Sequence, residues 1–227
     1  MSNTSNTRAT KGSKFWMQAM ANDEILTARL ETLLDEQNLR WFSPLEAESF
    51  KEYRLSEPKI FSDALGLSRD EFRDKFSFWP TNQPLWDAIA ASDEKILYLF
   101  EAKAHLNETF SKISATNPES LKKISAAMRK VFDELSDAPE ENFSAWTEKF
   151  YQLGNRLTFL HFMNRMTLPK INRVELVLLN ITDDRTHIST PQPDWTRHYE
   201  KIFGEMLGKK FSPQNVRVIY FSGSPAK

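Results

Sequence analysis

The chain has 227 residues, of which 40% are hydrophobic and 27% are charged, and its formal net charge is −1. This length provides for one large domain with a sizeable core. The near-neutral charge argues against a protein that coats nucleic acid through a global basic field, and the lack of cysteine excludes disulfides and thiolate metal sites. Because no apolar run approaches the roughly 20 residues that span a bilayer, we expect a cytoplasmic protein without a membrane partner.

Two parts of the chain differ in composition. Residues 1–13 are rich in Ser, Thr and Asn and contain no apolar stretch. Such a segment cannot bury enough apolar surface to fold, so we expect a disordered tail. Residues 14–227 contain no internal repeat and are expected to form a single domain with an N-terminal helical extension.

The first third of the chain favours helices. Apolar side chains recur at helical spacing between residues 15 and 37, which predicts one long helix there. The stripe comprises Ile25, Leu26, Leu30, Leu33 and Leu34. The segment Ser43-Pro44-Leu45-Glu46 has the form of a capping box with proline at the first helical position and predicts a second helix. Ser68-Arg69-Asp70-Glu71 repeats the capping signal and predicts a short third helix.

The middle of the chain predicts a β-hairpin. Residues 84–90 are mostly apolar, and Ser92-Asp93-Glu94 is typical of a turn. The continuous apolar run at residues 96–100 then indicates a buried central strand. This strand ends in Glu101-Ala102-Lys103.

Helices and strands alternate in the remainder of the chain. The predicted elements are a helix from Asn117-Pro118 to about residue 135, a helix from Asn142 or Ser144, a strand at residues 174–181, a helix at residues 193–207 closed by Gly208, and a strand at residues 216–221. The order predicts an α/β or α+β fold with a central mixed β-sheet flanked by helices.

The end of the predicted hairpin carries a cluster of charged residues. Positions i and i+2 of a strand point to the same face, so Glu101 and Lys103 share one. Asp87 lies on the first arm, and a tight turn near Ser92 would bring the two acids together. Two adjacent carboxylates repel each other but suit Mg²⁺, and a nearby lysine can orient or deprotonate an attacking water. The alternative is an exposed ion pair at a strand end beside a turn acid.

Four sequence segments extend this pattern. They are Phe78-Trp79-Pro80, Pro84-Leu85-Trp86-Asp87-Ala88, Glu101-Ala102-Lys103-Ala104-His105, and Tyr151-Gln152 with Asn155-Arg156. Together they resemble the PD-(D/E)XK nuclease superfamily, and within it an uncharacterised bacterial group, over roughly residues 79–221. The resemblance implies a restriction-endonuclease-like core in αβββαβ order and Mg²⁺ as cofactor, with Mn²⁺ as a substitute. Trp86 stands where many members have the proline of the first motif, which such enzymes keep loosely.

Transferred residue by residue, the resemblance implies a metal site. Asp87 and Glu101 would be metal ligands, and the Ala102 carbonyl would be a further one. Lys103 would be the catalytic lysine, and Gln152, on the long helix after the hairpin, would face the site.

Further residues are candidates for supporting roles. His105 continues the face of Lys103 if the strand persists, and is otherwise a strand-end histidine. Asn155 and Arg156 share a helical sector with Gln152, where an arginine either holds a phosphate or pairs with a core acid.

The upstream helical acid that many members of the superfamily use is not fixed by the sequence. Glu48 and Glu52 would share one helix face, and Glu46 competes only if it does not cap the helix. Glu48 is the residue that we select.

These patterns predict a metal-dependent nuclease that hydrolyses phosphodiester bonds of nucleic acid, with DNA as the expected partner. The alternative is a catalytically silent nuclease-fold module that binds nucleic acid or protein, and a third hypothesis is an interaction protein with an accidental motif. The sequence leaves open DNA versus RNA, endo- versus exonucleolytic cleavage, and the oligomeric state, a homodimer included.

Overall fold

The computed structural model describes residues 8–208 and 214–224. Its helices are α1 (Gly12–Met20), α2 (Glu24–Leu34), α3 (Arg69–Lys75), α4 (Pro118–Leu135), α5 (Tyr151–Met163) and α6 (Gln192–Leu207). Its strands are β1 (Arg40–Ser43), β2 (Ala88–Ala91), β3 (Ile96–Lys103), β4 (Arg173–Thr182) and β5 (Val216–Ser222).

Within the described residues the strands form a five-stranded sheet in the order β1–β2–β3–β4–β5. β1 and β3 both pair antiparallel with β2, whereas β3, β4 and β5 run parallel. Parallel neighbours need a crossover connection. Here α4 and α5 lie between β3 and β4 in the chain, and α6 lies between β4 and β5. The predicted mixed sheet flanked by helices is confirmed.

The central strand β3 is buried along its whole length, which explains why its sequence is continuously apolar up to the acid. Leu97 and Leu99 pack in the core with α4, α5 and α6, whereas Tyr98 and Phe100 pack with α1 and α2. By this alternation Glu101 and its successor at i+2 project on the side of α4, α5 and α6. No helix in the described ranges is long and apolar enough to cross a membrane.

The predicted hairpin is confirmed. β2 and β3 pair antiparallel, with Ala88 opposite Phe100 and Ala91 opposite Leu97. The strands on either side of the connection are both buried, so their register is fixed by the core on the two faces of the sheet.

Several predicted helix ends are also confirmed. The Asn117 side chain accepts a hydrogen bond from the backbone N–H of Ser120 (3.0 Å) at the start of α4. Ser68 and Glu71 form the capping box of α3. Gly208 ends α6 with a φ of 84°, a conformation that favours glycine. The predicted strands at residues 174–181 and 216–221 correspond to β4 and β5.

The single long helix predicted for residues 15–37 is wrong, because two helices occupy this segment. The Asp23 side chain accepts a hydrogen bond from the Leu26 N–H (2.9 Å) and starts α2 afresh. Ile25 and Leu33 are 75% and 44% exposed, so the buried stripe is narrower than predicted.

The helix predicted from Ser43 is wrong as well. Ser43 ends β1, a strand that we did not predict, and only a short 3₁₀ turn without a side-chain cap follows at Glu46–Glu48. β1 pairs with β2 through Trp41 opposite Ala90, a partner distant in the chain that a local pattern does not encode.

Two further boundaries differ from the prediction. Helix α1 starts at Gly12, inside the predicted tail, because the Gly12 N–H donates to Thr186 Oγ1 (3.0 Å) and Ser13 Oγ donates to Glu108 (2.9 Å). The rest of that prediction, residues 1–7, lies outside the described residues. Helix α5 starts later than predicted, since a π-helical turn at Ala145–Lys149 precedes it.

Two glycines in helices provide a matched test of this packing. A Cβ atom at Gly154 of α5 would lie 2.5 Å from Met128 Cε and 3.0 Å from the Trp146 carbonyl oxygen, whereas one at Gly204 of α6 would meet nothing within 4 Å. We expect Gly154→Ala to lower the free energy of unfolding by about 1–3 kcal/mol through overpacking. Gly204→Ala should raise it by about 0.5–1 kcal/mol through helix propensity. Urea unfolding followed by circular dichroism measures both, and equal effects would contradict the packing.

Candidate active site at the end of the central strand

The hairpin register sets the two predicted acids opposite each other. Ala88 faces Phe100, so continuing the register by one pair places Asp87 opposite Glu101. Side chains at directly opposite positions of antiparallel strands lie on one face, with Cβ atoms about 5 Å apart. The predicted meeting of the two acids therefore follows from the pairing of β2 with β3.

Glu101 is held by two buried cations. Its Oε2 accepts a hydrogen bond from Arg156 Nε at 2.7 Å, and its Oε1 pairs with the ammonium group of Lys103. All three residues are buried. Because both Glu101 oxygens are occupied by cations, the charge of this carboxylate is neutralised without any further group.

Arg156 also joins the arm before β2 to helix α5. Its Nη2 donates to the Leu85 carbonyl oxygen (2.7 Å), its Nη1 donates to Asn155 Oδ1 (3.1 Å), and its guanidinium lies 4.3 Å from the centre of the Trp86 ring. Among the two roles that we considered for Arg156, pairing with a core acid is the one that these contacts support. The guanidinium thereby fixes the backbone immediately before Asp87 relative to Glu101.

Asp87 has a different environment from Glu101. Its Oδ2 accepts a hydrogen bond from the Ala102 N–H at 2.8 Å, and the described residues supply no hydrogen-bond donor to its Oδ1. The N–H and C=O of one residue in an antiparallel strand point to the same side. The Ala102 carbonyl is therefore directed to the side of β3 on which Asp87 lies, as its predicted role requires.

The two acids differ in their affinity for protons. Burial, together with repulsion from Glu101, raises the pKa of Asp87 to about 7, although Lys103 and Arg156 oppose the rise. Burial also acts to raise the pKa of Glu101, but Arg156 and Lys103 outweigh it and hold this pKa well below its ordinary value. The ionised form is therefore stable at Glu101 and costly at Asp87.

Lys103 remains a cation in this arrangement. Burial opposes the charge, but Glu101 and Asp87 more than compensate and raise the pKa of Lys103 above its ordinary value. A protonated ammonium group cannot accept a proton, so this environment favours orientation of a water over its deprotonation. Of the two roles expected for Lys103, orientation of the water is therefore better supported than its deprotonation.

Asp87 lines a polar cleft of about 790 Å³. One wall comes from residues 52–54 and 79–87, and the other comes from residues 111–120 and 151–156. Glu101 and Lys103 lie behind this surface and line a small cavity of about 20 Å³, which has room for about one water molecule. Gln152 lines both spaces and thus stands between the cleft and the buried pair.

The secondary candidates divide into two groups. Gln152 lies with its Oε1 3.4 Å from Lys103 Nζ, and Asn155 lines the cleft, so both are near the acids. His105 follows the end of β3, does not line the cleft, and instead contacts Glu108 (Nε2 to Oε1, 3.2 Å). Because the strand stops at Lys103, the alternative that His105 is a strand-end histidine is the one that the structure supports.

Glu48 does not belong to the cleft. Its carboxylate accepts a hydrogen bond from the Tyr53 hydroxyl (2.9 Å) and pairs with Lys59, and these partners lower its pKa although burial opposes them. The acid of this segment that lines the cleft is Glu52, which pairs with Lys14 of α1 at 3.2 Å. The helix face that Glu48 and Glu52 were expected to share is absent, because the segment forms only a 3₁₀ turn at Glu46–Glu48, and the two acids have different partners.

The donor set suits a hard divalent cation in part. Asp87 Oδ1 and the Ala102 carbonyl are oxygen donors of the kind that Mg²⁺ prefers. Glu101 is also an oxygen donor, but it would have to exchange Lys103 for the metal. Among the described residues no three His, Asp or Glu side chains are grouped to hold a metal ion. Any metal here would therefore keep several waters, as Mg²⁺ commonly does.

Comparison of the chain with known proteins does not identify a family to which it belongs. No protein-family model, curated protein or solved structure matches the chain. The chemistry of the site therefore has to be argued from its own geometry.

Isosteric amide substitutions should separate the two acids. Glu101→Gln leaves the buried charges of Lys103 and Arg156 without their carboxylate, so we expect the free energy of unfolding to fall by about 3–5 kcal/mol. Asp87→Asn keeps an oxygen to accept the Ala102 N–H and removes a charge that burial disfavours, so it should leave this free energy unchanged or raise it. Urea unfolding of both variants at pH 7 measures the difference, and equal costs would contradict the assignment of Glu101 as the anchored acid.

The same substitution at Asp87 should have an effect that depends on pH. Because the folded protein raises this pKa from its ordinary value of 3.8 to about 7, ionisation of Asp87 destabilises the fold progressively between these pH values. We expect Asp87→Asn to match the parent protein near pH 4 and to melt at least about 2 °C higher at pH 8 without metal. Thermal melts in EDTA test this, and a variant less stable than the parent at pH 8 would contradict it.

Proposed function

We propose that the chain is a metal-dependent nuclease of the PD-(D/E)XK type that hydrolyses phosphodiester bonds of nucleic acid. The observation that carries the proposal is the position of Asp87, which lies opposite Glu101 on one face, lines a polar cleft, and has one oxygen that receives no hydrogen bond from the described residues. A structural role does not account for a carboxylate that is kept half-buried beside a second one at a cost in stability.

The succession of elements supports the same proposal. Helices α1 and α2 come first, the antiparallel strands β1, β2 and β3 follow, and a helical crossover leads to the parallel strand β4. This agrees with the αβββαβ order expected for a restriction-endonuclease-like core, apart from the additional α3 between β1 and β2. Glu101 and Lys103 lie at the end of the central strand and Asp87 lies opposite them on the other arm of the hairpin, as the resemblance expects.

The residues have distinct parts in the proposed reaction. Asp87, Glu101 and the Ala102 carbonyl would hold Mg²⁺ or Mn²⁺. Such an ion polarises a phosphoryl oxygen and lowers the pKa of its bound water. Lys103 remains charged, so it orients the attacking water and stabilises negative charge that develops on the phosphorus oxygens. Gln152, within 3.4 Å of the Lys103 ammonium group, limits the positions that this group can adopt.

Arg156 acts as a positioning residue in this scheme. It touches Glu101 and the Leu85 carbonyl and is itself buried, so it sets the distance between the acids. Once Lys103 leaves Glu101, the guanidinium remains as the partner that keeps this carboxylate ionised. We propose DNA as the substrate and the cytoplasm as the compartment of action.

A second function is favoured by one observation. Lys103 and Arg156 neutralise both oxygens of Glu101, so the network is complete without a metal. A catalytically silent module that binds nucleic acid or protein would need no more than this. Calorimetric titration with Mn²⁺ separates the two functions, since the silent module predicts no binding and the nuclease predicts binding that Asp87→Asn removes.

Nuclease activity is tested with substitutions at Asp87 and at Lys103, the second of which leaves Arg156 as the remaining cation on Glu101. We expect Asp87→Asn and Lys103→Met each to lower the rate of cleavage at least about 100-fold, because each removes a group that acts on the reacting phosphate or its water. The substrates are plasmid, linear and single-stranded DNA and RNA, with Mg²⁺ or Mn²⁺ present.

The matched control is Lys201→Ala, which removes an exposed lysine of α6 outside the cleft and should leave the rate unchanged. Circular dichroism establishes that each variant is folded. Cleavage by the parent protein that persists in Asp87→Asn would overturn the assignment of the site, and a parent protein inactive on every substrate with both metals would overturn the proposed function.

A further inference from the structure

The cleft in front of Asp87 carries two cations that no acid neutralises. Arg54 and Lys112 both line it, and neither forms an ion pair within the part of the chain that the structure describes. Arg54 uses its Nε to donate to the Gln83 carbonyl oxygen (2.7 Å), and Lys112 is exposed. In a chain of net charge −1, these two groups are a local positive feature beside the proposed catalytic acids.

The two cations come from different walls of the cleft. The Arg54 wall is tied to the arm before β2, because the Trp86 N–H donates to the Tyr53 carbonyl oxygen at 3.1 Å. The Lys112 wall is tied to α5, because the Gln152 N–H donates to Ser111 Oγ at 2.8 Å. Asp87 belongs to the first wall and lines the same cleft as both cations. A chain of phosphates lying along the cleft would meet a positive charge from each wall.

The size of the cleft limits what it can enclose. Its volume of about 790 Å³ lies in the range, about 300–1,000 Å³, in which proteins enclose one drug-sized ligand. Specific binding of duplex DNA instead uses broad surfaces that bury about 1,000–2,500 Å² of protein. The volume therefore fits a short stretch of unpaired strand better than a double helix.

The remaining lining suits exposed bases. Tyr151 presents a half-buried aromatic ring, on which any base can stack. Gln83 is 5% exposed, lines the cleft, and its Oε1 has no hydrogen-bond partner among the described residues. The edge of an unpaired base offers donors and acceptors to such an amide. Asn82 and Leu85 complete this part of the lining with a second amide and an exposed apolar side chain.

We propose that this cleft is a site for an unpaired nucleic-acid strand, with Arg54 and Lys112 binding phosphates from the two walls of the cleft and Tyr151 stacking against a base. The inference rests on the proposed function, because it takes the phosphodiester bond at Asp87 to be the one that is cleaved. It defines the substrate class as single strands, frayed ends or flaps.

Binding is measured without metal, so that cleavage is not needed for a result. Fluorescence anisotropy in EDTA compares a fluorescein-labelled eight-nucleotide strand with a hairpin duplex of the same sequence, each as DNA and as RNA. We expect the single strand to bind at least about 10-fold more tightly than the duplex. Lys112→Ala and Arg54→Gln should each weaken binding about 3- to 10-fold and reduce the salt slope by about one phosphate contact.

Lys201→Ala is the matched control and should leave binding unchanged. A duplex that binds as tightly as the strand, or unchanged binding by Lys112→Ala and Arg54→Gln, would overturn the inference. The proposed function fails separately: a strand bound as predicted but not cleaved with Mg²⁺ or Mn²⁺ supports the strand site and contradicts hydrolysis. Cleavage of duplex DNA without preference for single strands overturns the strand site and leaves hydrolysis standing.

Discussion

The buried ion pair between Glu101 and Arg156 is the interaction on which the arrangement of the site depends. Burying these charges costs solvation, so the pair contributes orientation more than net stability. Arg156 comes from α5, Glu101 ends the central strand, and the same guanidinium holds the Leu85 carbonyl on the arm that leads to Asp87. One side chain thus fixes α5 relative to both arms of the hairpin.

The charge balance of this cluster explains why its two acids are unequal. Two carboxylates and two cations make a neutral group, but the cations contact Glu101, and Asp87 receives only a backbone N–H. Asp87 is therefore the acid that gains most from an additional positive charge at the cleft. The ionised form of Asp87 lowers the stability of the fold. Such a loss of stability is often found where a protein keeps a group available to bind a ligand.

The sequence predicted the parts of the structure that local patterns encode. The hairpin, the shared face of Glu101 and Lys103, and the caps of α3 and α4 all follow from residues within a few positions of one another. Strand β1 was not predicted, because its pairing depends on a partner strand that is distant in the chain. Glu48 was selected over Glu52 because the segment was expected to be a helix, whereas Glu52 is the acid that lines the cleft. The Arg156 contacts likewise join residues more than fifty positions apart, and no spacing rule specifies them.

The central claim is that Asp87 and Glu101 share one divalent cation, and a crystal structure of the protein soaked with Mn²⁺ tests it most directly. We expect an anomalous peak at about 2.2 Å from Asp87 Oδ1 and from a Glu101 oxygen, with the Lys103 ammonium group moved off Glu101 and the Arg156 contact retained. The opposite result is a Lys103 that stays paired with Glu101 and no anomalous density beside Asp87, while the same manganese concentration occupies other carboxylates of the crystal. That result would contradict a shared metal site.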